Sequence, residues 1–286
     1  MVGLGCNNFG GRLDEAATRS VVDAALSAGV TFFDTADIYG NKGGSETLLG
    51  GILEGRRDQV VLATKWGGDM GDGAQRRGSA GYIRSALDAS LRRLRTDVID
   101  LYQHHQEDPD TPLEETFGAL DELVRAGKIR AYGTSNYAPA TLRRARAVAG
   151  DGYVSEQSQY SWLHRHAEAE LLPACEELGL GFIPYFPLAS GLLTGKVSRA
   201  RPPEPGTRLH GRAIDGADLD RVERLQAWAQ AHRVSLLDVA IGGLAAVPPV
   251  ASVIAGATKP EQVRANAQAG EWRPTADELA ELRALS

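Results

Sequence analysis

Four side chains suited to acid–base work on a carbonyl stand at or just beyond the ends of short apolar runs. Thr31-Phe32-Phe33 leads to Asp34, with Tyr39 five residues later. Val60 to Thr64 leads to Lys65, and Val98 to Tyr102 leads to His104 and His105. A free phenol, with a pKa near about 10, is a poor proton donor or acceptor at neutral pH. A lysine cation close by favours the phenolate and is expected to lower that value. An aspartate beyond the lysine would keep it charged and oriented, and a histidine would hydrogen-bond a substrate oxygen. Such a set can protonate a carbonyl oxygen while a hydride arrives at carbon, or run the reverse.

Groups this far apart in sequence meet only if the runs are parallel strands ending on one rim. Eight runs qualify, at 2–5, 31–34, 60–64, 98–103, 129–134, 153–157, 181–185 and 251–255, each followed by a helical pattern. Val21, Val22, Ala25 and Leu26 have helical spacing before Gly29, as do Ile83, Leu87, Leu91 and Leu94. Thr111-Pro112-Leu113-Glu114 reads as a capping box and Ser235 to Asp238 as a further helix start. Eight β-then-α units predict an α/β protein, a closed (β/α)8 TIM barrel in one domain over 1–286, with catalytic groups at the C-terminal rim. The Gly-, Pro- and Arg-rich segment 188–217 breaks the rhythm and predicts a covering loop. A last helix is expected at 275–284.

Bulk properties narrow the partners. A net charge of -6 argues against nucleic acid or an anionic membrane surface. Cys6 and Cys175 lack metal-ligand spacing, and no apolar run reaches membrane-spanning length, so a cytoplasmic protein with reduced thiols is expected. Gly3-Leu4-Gly5 opens like a dinucleotide fingerprint, but Asn8 stands where its third glycine belongs. A metal site from Asp34, Asp37, His104 and His105 is disfavoured, because adjacent strand residues point to opposite faces. No metal is expected.

The chain resembles the aldo-keto reductase family. The resemblance rests on Gly29 to Gly40 (GVTFFDTADIYG), Ala63-Thr64-Lys65, Asp100 to His105 (DLYQHH), Gly133 to Asn136 (GTSN), Pro187 to Lys196 (PLASGLLTGK) and Ile254 to Ala257 (IAGA). It implies NADPH-dependent reduction of aldehydes or ketones, with NADH as an admissible substitute. Tyr39 would be the acid, aided by Asp34 and Lys65, and His105 would close the family's Asp-Leu-Tyr-x-x-His pattern. Strand parity places His105 with Leu101 and Gln103, and sends His104 toward the helices. The resemblance further implies that Ser135, Asn136 and Gln157 hold the carboxamide and that Tyr185 stacks on the nicotinamide. Leu188, Ser190, Gly191, Leu192, Thr194 and Lys196 would cover the pyrophosphate. Gly256, Ala257, Thr258, Lys259, Gln262 and Asn266 would take the adenosine end, where a helix N-terminus favours phosphate. Asn7 and Trp66 are candidates for the substrate pocket, although packing is an equal reading of Trp66. Arg199, Arg201, Arg208 and Arg212 could reach phosphate, although arginines in a polar loop are usually solvated.

Departures from the family carry expectations too. The short N-terminal hairpin that covers the barrel bottom is missing, so either translation starts upstream or the bottom is open. Gln262 stands where some relatives carry an arginine for the 2′-phosphate, which weakens the NADPH preference. The long C-terminal loop of some relatives is absent, which predicts an open, permissive pocket for a small-molecule carbonyl. A redox-slow regulatory or binding protein on the same barrel and cofactor is the alternative. These motifs set neither the substrate nor the oligomeric state.

Overall fold

In the computed structural model, which describes residues 1–285, the eight runs become eight strands. These are β1 (Val2–Gly5), β2 (Phe32–Asp34), β3 (Val61–Trp66), β4 (Ile99–His104), β5 (Ile129–Ser135), β6 (Tyr153–Gln159), β7 (Gly181–Tyr185) and β8 (Val253–Gly256). Between and after them lie α1 (Glu15–Ser27), α2 (Tyr39–Ile52), α3 (Ala80–Leu94), α4 (Leu113–Arg125), α5 (Pro139–Val148), α6 (Leu171–Glu177), α7 (Gly216–Ala231), the short α8 (Leu236–Asp238), α9 (Pro260–Ala269) and α10 (Ala276–Leu285). All neighbouring strands pair in parallel, in the order β7-β6-β5-β4-β3-β2-β1-β8. A parallel bridge between Phe182 and Val250, with Ala251 N donating to Phe182 O at 2.8 Å, brings the two ends together. The fold is a (β/α)8 barrel.

The helices start and stop for local reasons. Asp14 accepts a hydrogen bond from Ala17 N and opens α1, and Gly29 at φ 72° ends it. Ser79 caps α3 through Tyr82 N, and Ile83, Leu87 and Leu94 bury its inner face. Ser235 and Asp238 form a capping box at α8. The capping box expected at Thr111 does not form. Thr111 Oγ1 donates instead to Asp108 Oδ2 at 2.7 Å, and Pro112 is the N-cap of α4. With Pro112 as N-cap the helix begins one residue later than the box requires, so Glu114 does not stand at the third helical position.

Register gathers the polar groups at one rim. Gly5 lies beside Asp34, Lys65 beside Gln103, and Ser135 beside Gln157. Two residues before Asp34, Lys65, Gln103, Tyr185 and Gly256 sit Phe32, Ala63, Leu101, Ile183 and Ile254, which form a packed layer inside the barrel. The alternate residues face outward into the larger core between strands and helices.

Tyr39 stands at an abrupt turn. Gly40, Asn41, Lys42 and Gly43 all have positive φ, a left-handed turn before the regular part of α2. At Gly40 a Cβ would lie 2.5 Å from both Phe9 O and Ser45 N, so only glycine fits there. After β7 the chain makes a short 3-10 turn (Ala189–Thr194) and crosses the rim as an extended loop before α7 begins at Gly216.

Candidate active site

Lys65 is the hub. Its side chain is 0% exposed, and Nζ donates to Asp34 Oδ2 at 2.5 Å and to Thr35 O at 3.0 Å. The other oxygen of Asp34 accepts from Gln103 Nε2 (3.0 Å) and Gln157 Nε2 (2.9 Å). A buried carboxylate held by one cation and two amides is satisfied, which is what its burial requires. Lys65 Nζ lies 5.3 Å from the centre of the Tyr39 ring, and the ring of His105 meets that of Tyr39 edge-on at 5.8 Å. The four residues proposed from sequence are therefore together.

Their protonation differs from the expectation in one respect. Burial pushes the Tyr39 phenol up, and the opposing pull of Lys65 does not reverse it, so its pKa lies above the usual value. The expectation of a lowered phenol pKa is corrected, because desolvation of the phenolate outweighs the single cation. Burial acts to lower the Lys65 pKa, but Asp34 and Tyr39 outweigh it and the ammonium is held above its ordinary value. Burial, then the charge of Lys65, depresses His105 to about 3, so its imidazole is neutral.

The two adjacent histidines go separate ways. His104 stacks flat on Trp66, with ring centres 4.7 Å apart, and its Nδ1 meets the Tyr137 hydroxyl at 2.9 Å. Trp66 is 0% exposed, also stacks on Tyr102, and donates to Arg77 O at 3.1 Å. It is not a pocket wall. Lys65 points into the barrel, so its neighbour must point to the helices. Trp66→Ala should cost about 3–5 kcal/mol in denaturant unfolding, as expected for a buried aromatic. Substrate KM, measured alongside at low temperature, should stay nearly constant; a large KM change with little loss of stability would return Trp66 to the pocket.

A cavity of about 840 Å³ opens above Tyr39 and His105. Asn7, Ser135, Asn136, Gln157 and Tyr185 line its barrel side. Asn136, at φ 60°, accepts from the Tyr185 hydroxyl at 2.9 Å and donates to Ser135 Oγ at 3.0 Å. Leu188, Ser190, Gly191, Thr194 and Lys196 line it from the loop, and Gly256, Thr258, Lys259, Gln262 and Asn266 from the β8–α9 end. Two candidates do not face it. Leu192 is buried in the core beneath its own turn, and Ala257 is buried with its carbonyl accepting from Asn8 Nδ2 at 3.3 Å. Ala257 stands between Gly256 and Thr258, which line the cavity, and Leu192 packs in the core with its neighbour Leu193. Gln262 folds back, its Oε1 accepting from Thr258 N (2.7 Å) and Oγ1 (3.2 Å).

Three supporting residues had not been singled out as site residues. Gln103 shares the inward face with His105, so strand parity already contained its signal. Glu156 faces outward and collects Thr134 Oγ1 (2.5 Å), Ser158 Oγ (2.7 Å) and Tyr137 N (3.2 Å), which pins the turn carrying Asn136. Burial raises its pKa to about 7. Arg208, read from sequence as solvated, reaches from the loop to Asn7 and Asn8. With Arg12 donating to Gly206 O, it ties the loop across the mouth of the cavity.

The chain matches the model of the aldo/keto reductase family over residues 1–286. It is 41% identical over 288 residues to the uncharacterized oxidoreductase YrpG of Bacillus subtilis, covering 94% of this chain and 86% of that protein. It is also 36% identical over 279 residues to a probable voltage-gated potassium channel subunit beta of Oryza sativa subsp. japonica, covering 91% and 84%. Among solved structures, the holo form of aldo-keto reductase AKR11C1 from Bacillus halodurans superposes with a TM-score of 0.84 at 36% identity, over 100% of this chain and 91% of that one. No described helix is long and apolar enough to cross a membrane. On this sequence match, this barrel and this likeness, the chain belongs to the aldo/keto reductase family and is an oxidoreductase.

Proposed function

We propose that this chain reduces the carbonyl group of small aldehydes or ketones with NADPH, and that Tyr39 is the proton donor. The observation that carries the reading is the buried Asp34–Lys65 pair beneath the Tyr39 ring, at the floor of a cavity. When bound, the nicotinamide supplies a hydride to the carbonyl carbon. The cavity suits such a cofactor. Ser135 and Gln157 offer hydroxyl and amide groups on one wall, and one amide ligand needs both donors and acceptors. His105 Nδ1 is buried with no hydrogen-bond partner among the described residues. Lys196 and Lys259 bring positive charge to the cavity, and Thr258 and Lys259 lie at the N-terminus of α9.

Tyr39, protonated through the neutral range, gives its proton to the carbonyl oxygen as negative charge develops there. The Lys65 ammonium stabilises the resulting phenolate, and Asp34 holds that ammonium in place. His105 is neutral, so it orients the substrate oxygen by hydrogen bonding and does not serve as the acid. A pH–rate profile checks this division. An imidazole near about 6.5 would bend kcat/KM there, whereas a group at about 3 is already deprotonated above pH 4, so His105 should contribute no inflexion from there to the alkaline range. A clear inflexion near neutrality that disappears in His105→Gln would contradict it.

The likeness to a channel beta subunit supports a second reading, a cofactor-binding protein with slow turnover. One experiment separates the two. NADPH and NADH are titrated by fluorescence, and absorbance is followed after benzaldehyde is added. Binding with consumption supports the reductase, binding without consumption the regulatory reading, and no binding ends both.

A further inference from the structure

Asp37 belongs to the turn that joins Asp34 to Tyr39, yet it is not part of the cavity wall. It is 2% exposed, and its Oδ1 has no hydrogen-bond partner among the described residues. The backbone around it is tied closely. Asp37 N donates to Lys65 O at 3.0 Å, and Tyr39 N donates to Ala36 O at 3.1 Å. A shift of the Asp37 side chain is therefore passed to the turn that sets Tyr39 against Lys65.

The charges that face Asp37 do not balance. From α2 comes Glu46, 0% exposed, which accepts from the Thr64 hydroxyl of β3 at 2.5 Å and from Arg93 Nε of α3 at 2.6 Å. Arg77, from the loop before α3, is held by Asp69 and Asp72. Tyr82 of α3 and Tyr102 of β4 have raised pKa values and are neutral phenols, and the Tyr102 hydroxyl is itself buried without a partner among the described residues. Two buried carboxylates thus meet one arginine, and Glu46 has it. Burial, then Glu46, raise the Asp37 pKa to about 7, against the weaker pull of Arg93, the Ile38 amide and Arg77. Neutral, the carboxyl suits this site. Ionised, it is a buried charge with one oxygen unsatisfied, and such a group is driven toward water or a cation. The chain just beyond Tyr39 resists little. Asn41 and Lys42 hold φ of 60° and 67°, a conformation that persists only while its surroundings enforce it.

Resting on the carbonyl-reductase reading, we propose that Asp37 is a positioning residue whose proton holds the Tyr39 turn in its working geometry, so that losing this proton slows reduction. Tyr39 and His105 do not titrate between pH 6 and pH 8, which leaves that range free for the test. Single-turnover hydride transfer from NADPH to benzaldehyde is followed across it in the wild type, Asp37→Asn and Glu156→Gln. The wild-type rate should fall about tenfold, as the protonated fraction of a group at about 7 does. Asp37→Asn, neutral throughout, should keep the pH 6 rate at pH 8, and Glu156→Gln should fall as the wild type does. A level wild-type profile overturns the proposal, and so does an equal fall in Asp37→Asn. A folded Asp37→Asn inactive at pH 6, or a fall abolished by Glu156→Gln, overturns it too. Stability gives a second readout. Folded Asp37 keeps a proton that the unfolded chain, with a pKa of about 3.9, releases, so wild-type stability falls as pH rises toward about 7. The thermal midpoint of Asp37→Asn should gain on that of the wild type between pH 5 and pH 8; a constant difference overturns the proposal. If benzaldehyde is not consumed, the reductase reading fails separately, and amide hydrogen exchange over 36–44 decides the turn. Corrected for intrinsic rates, exchange should quicken from pH 6 to pH 8 in the wild type and not in Asp37→Asn, and equal protection overturns the proposal.

Discussion

Tyr39→Phe is expected to lose about 10²–10⁴ of kcat, the range typical for a positioned general acid, while NADPH binding and thermal midpoint stay close to wild type. The change removes one hydroxyl and leaves the ring against His105 and above Lys65. No other group replaces it as acid. His105 is neutral above about pH 4 and Lys65 is committed to Asp34 and Thr35 O. Single-turnover absorbance measurements with a fluorescence titration would separate chemistry from binding. Retention of activity to within about tenfold would remove Tyr39 from this role.

Lys65→Met should damage both chemistry and fold. It leaves the Asp34 carboxylate buried with two amide donors and no cation, and breaking a buried pair by removing one partner costs about 3–5 kcal/mol. The loss should depend on pH in a definite direction. Without Lys65, burial raises the folded pKa of Asp34 above its unfolded value, so the folded state holds a proton that the unfolded state releases. Destabilisation is then greatest at pH 8 and eases as pH falls through that raised value. Urea unfolding at pH 5 and pH 8 checks this. Adding Asp34→Asn should restore much of the stability but none of the turnover. A loss below about 1 kcal/mol with no pH dependence would mean that the pair is not a coupled buried unit.

Much of this was legible in the residues because the fold repeats one simple rule. Apolar runs ending in Asp34, Lys65 and His105, with Tyr39 beyond the first, predict one rim once the strands are parallel, and period-two alternation separates His105 from His104. The same alternation, applied one residue further, would have removed Trp66 from the pocket. It follows Lys65 directly and stacks on Tyr102 and His104 outside the barrel. Leu192 and Ala257 show the limit of motif matching, since a motif says which segment reaches the cavity and not which side chain faces it. Thr111 shows the limit of local pattern, because α4 starts one residue later than its motif implies, with Pro112 as N-cap.

By itself, then, the chain determined the order of its eight β/α units, the rim at which the reactive groups collect and the family they belong to. All of these follow from short-range periodicity and segment identity. Only the tertiary structure decided the sign of the Tyr39 shift, the cross-strand grip of Gln103 and Gln157 on Asp34, and the reach of Arg208 to Asn7 across 201 residues of chain. Those depend on desolvation and on distances between segments remote in sequence, and neither quantity exists until the barrel closes.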